Sequence, residues 1–347
     1  MFKFLRSKSQ PQSEHPSPAV QVAPDEIAIE GMAPLAFTKL LEWDHGFPIP
    51  DWPAIYSWED TAADEPMRNE ACAACERAWL LHFGVALGAD YRLSESERVL
   101  VLSSAEPKVA QATLAYMERV LERICGMLKG LAEVLAYGKE ILILFDEQDD
   151  YYRYVFHYYP EEGEFAHSSG VFINKACGHF VTTKSDLSLI EPTIVHEMTH
   201  ACLSYLPLPT WLNEGLAVNV EQALTKSRVT RRDLDDMQET RQKHLSFWGE
   251  SEIQEFWSGA SFYRAGDINS LSYDLARILV EYLARDWERF RQFALTAHWN
   301  DGGASAAREF LGVSLGALVA SLLEKEDDAE LFEPHVIGKT PEGSQPA

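Results

Sequence analysis

The chain reads as α+β, with a small mixed β-sheet in its N-terminal half and helices in its C-terminal half. Between residues 98 and 183, short apolar runs rich in β-branched residues are separated by turn signals. From 189 to 323 the apolar residues recur at helical spacing instead. Strand-rich and helix-rich segments that follow one another pack as segregated layers rather than as alternating βα units. With 347 residues, 46% of them hydrophobic, the chain can bury one large core.

Residues 1–25 are rich in Ser, Pro, Gln and charge and are expected to stay disordered. Residues 26–95 carry Trp43, Trp52 and Trp58 among prolines and acids, with a helical stretch near 69–83, and are expected to form a cap of uncertain fold. The main domain is expected over 96–325. It opens with a strand at 98–103 (RVLVLS), followed by a helix at 108–128 with Ala110, Leu114, Met117, Leu121, Ile124 and Leu128 on one face. A buried strand at 140–145 (EILILF) comes next, then strands at 170–174 and 179–183 around a turn at 176–178. Helices fill the rest, broken near 207–209, 259–266 and 302–303, and 326–347 reads as a flexible tail.

Charge and composition exclude several function classes. A formal net charge of −24, spread along the chain, repels phosphate backbones and argues against a nucleic-acid partner. Lys3, Arg6 and Lys8 flank only Phe2, Phe4 and Leu5, so no secretory apolar core follows them. No apolar run reaches the roughly 18 residues of a membrane span. The five cysteines are too few, and odd in number, for a disulfide framework. A cytoplasmic location with no membrane partner is therefore expected.

The chemistry concentrates at 196–200, His-Glu-Met-Thr-His. Histidines four apart on a helix share a face, because four residues turn about 400°. Their ring nitrogens can meet one zinc ion at about 2.0–2.1 Å. Glu197 sits about 100° round the helix, where it can reach a water beside the ion without ligating. Ile194, Val195, Met198 and Cys202 give this helix an apolar side, and Ser188 with Glu191 resembles a capping box, although Pro192 would sit better in a first turn that starts later. Downstream, 209–217 reads PTWLNEGLA. Thr210 is expected to cap a second helix starting at Trp211, which places Glu214 in its first turns. If that helix folds back beside the first, Glu214 becomes a third ligand and one position stays open. Taken alone, Glu214 reads equally well as a solvated carboxylate near a helix N-terminus.

HEMTH followed by WLNEGLA resembles the gluzincin metallopeptidases, and most closely the peptidase MA-like domains, over about 98–285. The resemblance implies a zincin-like fold, zinc held by His196, His200 and Glu214, and Glu197 as general base. It implies a later-helix tyrosine that stabilises the oxyanion, for which Tyr273 in SLSYDLARILVEYLAR is the candidate and Tyr263 the nearest rival. It also implies a sheet edge above the metal helix, from 179–183 or 170–174, with which an extended peptide can pair. The chain departs from the family in two ways. It lacks the Gly-Ala-Met-Glu-Asn segment of aminopeptidases, which favours an endopeptidase. It has Val218 and Asn219 near the position where thermolysin-like enzymes place a histidine-orienting aspartate.

The expected activity is zinc-dependent hydrolysis of a peptide or protein substrate. A zinc hydrolase of a non-peptide amide and a metal-dependent regulatory or binding protein are the alternatives. Cys72-Ala-Ala-Cys75 lacks a second pair of ligands and reads as core, as does Cys202 on the far side of the histidine helix. The aromatic run Tyr151, Tyr152, Tyr154, Phe156, Tyr158 and Tyr159 reads as packing under the sheet rather than as a substrate cleft.

Overall fold

The computed structural model describes residues 21–134, 136–160, 170–173, 175–184, 187–225 and 231–335. The chain is α+β. A hairpin of β1 (Leu41–Asp44) and β2 (Phe47–Pro50) leads into α1 (Trp52–Glu59) and the long α2 (Glu65–Leu87). Then come β3 (Arg92–Glu95), β4 (Val99–Ser103), α3 (Pro107–Met127), β5 (Glu140–Phe145), α4 (Gln148–Tyr158), β6 (Gly170–Ile173) and β7 (His179–Thr183). The helical half holds α5 (Leu187–Leu203), α6 (Thr210–Thr225), α7 (Arg231–Phe247), α8 (Glu250–Ser258), α9 (Asp267–Leu283), α10 (Trp287–Thr296), the single turn α11 (Ala304–Ala306) and α12 (Leu315–Leu322). No single helix among the described residues is long and apolar enough to cross a membrane.

The main sheet has the order β3-β4-β5-β7-β6. Its central strands β4, β5 and β7 are parallel, and β3 and β6 run antiparallel at the edges. The central strands are almost wholly buried, and β4 and β5 are apolar apart from Ser103 and Glu140, because both faces are covered. Side chains alternate between faces with period two. Val99, Val101, Leu142, Leu144 and Phe180 join the core with α3, α5, α6 and α9. Leu100, Leu102, Ile141, Ile143 and Val181 join a second core with α2 and α4.

That second core explains residues 26–95. Phe37, Phe47, Trp52, Ile55, Trp79 and Phe83 are buried in it, so this region is the layer that covers the sheet's other face. The boundary expected at 95/96 falls within the sheet, where Glu95 of β3 pairs with Leu100 of β4. At the C-terminal end, Phe332 is 1% exposed and its carbonyl accepts from Trp257 Nε1, so the chain still packs at a point assigned to the tail. Residues 1–20 and 336–347, along with Ser169 and Asn174, lie outside the described residues.

Two local expectations are corrected. Helix α5 begins at Leu187 with Pro192 inside it, so Ser188 is a helical residue and not the cap. Helix α6 begins at Thr210 rather than Trp211, and the Pro209 carbonyl accepts from the Leu212 and Asn213 N–H groups. Tyr151, Tyr154 and Tyr158 are buried under the sheet, on the face opposite α5, with the Tyr154 hydroxyl 2.8 Å from His179 Nε2. All five cysteines are free thiols.

Candidate metal centre

Helices α5 and α6 form an antiparallel pair joined by a turn through 204–209, and α9 packs along α6. Gly215 permits this last crossing. A Cβ there would stand 2.6 Å from the Ala276 carbonyl oxygen and 2.7 Å from Val280 Cγ2. Asn219 ties the same helices, donating from Nδ2 to the carbonyls of Gly215 and Arg277.

Three predicted side chains converge where α5 and α6 meet. The His196 and His200 rings lie 4.8 Å apart at 78°. Glu214 Oε2 is 3.2 Å from His196 Nε2 and 3.5 Å from His200 Nε2. All three donor atoms lie within 4.8 Å of one another, and among the described residues this is the one group placed to hold a metal. Ligands bonded tetrahedrally to zinc at about 2.0–2.1 Å stand about 3.3–3.4 Å apart, so the two measured separations suit a shared ion. The side chains are 16%, 9% and 14% exposed for His196, His200 and Glu214, which leaves a narrow opening to solvent.

The electrostatics describe two imidazoles competing for one carboxylate. Burial opposes a charge on His196, but hydrogen bonds to Glu214 and Glu221 outweigh it and push its pKa up to about 10. Burial likewise opposes the His200 charge, and the Glu214 carboxylate raises it all the same. Glu214 would be driven neutral by burial, yet the two rings hold it well below the usual carboxylate range. A divalent cation would replace those protons with the same sign of charge. Two buried polar atoms next to the ligands, His200 Nδ1 and Asn213 Oδ1, have no protein hydrogen-bond partner.

Glu197 lies beside the three donors, with its Oε2 accepting a 2.8 Å hydrogen bond from the Phe172 N–H of β6. Burial pushes its pKa up, and the neighbouring histidines partly offset this. Of the two segments expected to supply a sheet edge, only β6 does so; β7 (His179–Thr183) is paired on both sides, by β5 and β6. Gly170 lets β6 pack tightly, since a Cβ there would stand 2.7 Å from the Phe180 ring and 3.0 Å from Thr193 Cγ2.

Tyr273 projects from α9 towards the cluster, its ring centroid 6.5 Å from that of His196. The Glu214 charge, with burial, keeps its phenol protonated far above neutral pH. Tyr263 is 42% exposed and close enough to raise the Tyr273 pKa further, so both tyrosines lie in this neighbourhood.

The sequence reading missed Glu221. Its Oε2 lies 3.2 Å from His196 Nδ1, on the side of the ring away from Glu214. It is seven residues after Glu214, two turns along one face of α6, and that spacing is the signal that could have found it. A carboxylate on the far nitrogen fixes the tautomer that frees Nε2 for a metal.

No protein-family model and no curated protein sequence matches the chain.

Proposed function

We propose that this chain is a zinc-dependent metallopeptidase that cleaves internal peptide bonds, working in the cytoplasm. The observation that carries the reading is the convergence of His196 Nε2, His200 Nε2 and Glu214 Oε2, with the Glu197 carboxylate alongside. Two imidazoles and one carboxylate with an open fourth position form a donor set suited to catalytic zinc. A bound zinc ion supplies Lewis-acid polarisation and makes a water acidic near neutral pH.

The remaining steps belong to side chains. Glu197, its carboxylate oriented by the Phe172 N–H, takes the proton of the attacking water and delivers it to the departing nitrogen. A carboxylate whose pKa is raised by burial is a stronger base, so it takes the water's proton more readily than an exposed one. Tyr273, held protonated beside Glu214, donates its O–H to the carbonyl oxygen as negative charge develops there. Glu221 keeps the His196 ring in one orientation.

The test compares the full-length protein with Glu197→Gln by elemental analysis and by cleavage of a mixed peptide library. Both proteins should carry about one zinc per chain, and the substitution should lower cleavage by about 10²–10⁴-fold. Zinc-loaded protein with no Glu197-dependent cleavage of any peptide would refute the proposal.

A further inference from the structure

Tyr273 can serve the reaction only if its ring is held at one angle, and α9 alone does not hold it. A helix fixes Cα and Cβ, while the direction of a tyrosine ring depends on what packs against it. Here the ring lies between two others. One is His196, at 6.5 Å and 54°. The other is Phe262, at 5.1 Å and 84°. An edge-to-face pair sets the tilt of a ring as well as its position. Phe262 is 4% exposed and belongs to the short turn Ala260–Tyr263 that leads from α8 to α9.

That turn is tied down on every side. The Ser261 and Ser272 hydroxyls are both fully buried and hydrogen-bond at 2.7 Å, and Ser272 is the residue before Tyr273. The Asn269 side-chain amide donates to the Phe262 carbonyl. The Phe262 ring lies 5.7 Å from that of Phe256, which lies 6.3 Å from Trp211 in the first turn of α6. Trp211 is three residues before Glu214. Ring contacts therefore run from the helix of the third metal donor through Phe256, Phe262 and Tyr273 to His196. Close packing along that path leaves the phenol little room to swing.

We propose that Phe262 is the positioning residue for Tyr273, its ring holding the phenol where it can meet the developing oxyanion. The assignment rests on the peptidase reading above. At 4% exposure Phe262 offers a substrate almost no surface, so it acts through Tyr273. If it packed for stability alone, it would count equally whether or not residue 273 carried a hydroxyl. As a positioning residue it counts only through that hydroxyl. A misplacement of about 1 Å can cost about 10²-fold, and losing one oxyanion donor outright costs about 10²–10³-fold.

The experiment compares the full chain with Phe262→Leu, Tyr273→Phe and the double variant for zinc content, kcat and KM on one cleaved peptide. Phe262→Leu should lower kcat by about 10–100-fold, with KM and zinc content unchanged. In the Tyr273→Phe background the same substitution should change kcat by less than about twofold, because residues that act as a unit are not additive. A second readout needs no turnover. Cobalt(II) is loaded in place of zinc into protein carrying isotope-labelled tyrosine, and the Tyr273 signal is identified by its absence from Tyr273→Phe. Its paramagnetic shift should shrink in Phe262→Leu. Asn269→Ala keeps the buried ring and frees only the backbone of the turn. It should lower kcat in the same Tyr273-dependent way, and it decides the question if Phe262→Leu does not fold. Equal losses with and without the Tyr273 hydroxyl would overturn the proposal, as would an unchanged cobalt shift. If the unsubstituted protein binds neither metal, or cleaves no peptide, the peptidase reading fails and this assignment falls with it.

Discussion

Gly215→Ala tests whether the crossing of α6 and α9 builds the site. In an exposed helix interior this substitution stabilises by about 0.5–1 kcal/mol, because glycine loses more backbone entropy on folding. Here the added methyl would stand 2.6 Å from the Ala276 carbonyl oxygen, where ordinary contacts begin at 3.4 Å, so the helices must part by about 0.8 Å. The obstacle is backbone and cannot rotate away. Overpacking of this kind costs about 1–3 kcal/mol. Subtracting the helix gain leaves a net loss of about 2 kcal/mol at the upper end. For a chain of this length that lowers Tm by about 3 °C. The shift is also larger than the roughly 0.2 Å spread of ligand distances in a sound metal site, and it acts on the residue next to Glu214, so zinc affinity should fall about tenfold. Scanning calorimetry and chelator competition read the two effects. Gly126→Ala is the control, since it lies in α3 with nothing within 4 Å of its added methyl, and it should raise Tm. If Gly215→Ala raised Tm as Gly126→Ala does and left zinc affinity unchanged, the account of this crossing would be wrong.

Further outcomes follow from the same geometry. Glu221→Ala should weaken zinc binding about tenfold, the low end for such partners, because the Glu221 side chain is 30% exposed; Glu221→Gln, which keeps an acceptor for His196 Nδ1, should lose only a few-fold, and equal affinities in all three proteins would contradict the orienting role. Zinc uptake should release a proton from His196, whose pKa in the metal-free protein is pushed up to about 10, so calorimetry at pH 8 in buffers of different ionisation enthalpy should detect at least one proton per ion. The stability of the metal-free protein follows the same group. A raised folded pKa contributes stability that is full below the unfolded value of about 6.5 and is lost as pH rises through about 10. Denaturant midpoints should therefore fall across that window, more steeply than in His196→Gln.

The sequence by itself determined the local part of this protein. Strands β4 and β5 read as near-continuous apolar runs because they are covered on both faces, and α3 was legible from one apolar stripe. The pairing of His196 with His200 is a property of a single helical turn, so five residues sufficed to place it. The turn at Pro207 and Pro209, followed by a helix carrying Glu214, left little freedom for the third donor. What only the tertiary structure decided was non-local. Trp52, Trp79 and Phe47 found their role as the sheet's second layer only through contact with strands at 99–103 and 140–145. The link from the Phe172 N–H to Glu197 crosses 25 residues of sequence, and the approach of Tyr273 to His196 depends on how closely α9 can lie on α6. Periodicity shows which face of a helix is buried, but the partner it meets is set by the crossing of two helices, and no spacing within either one encodes that.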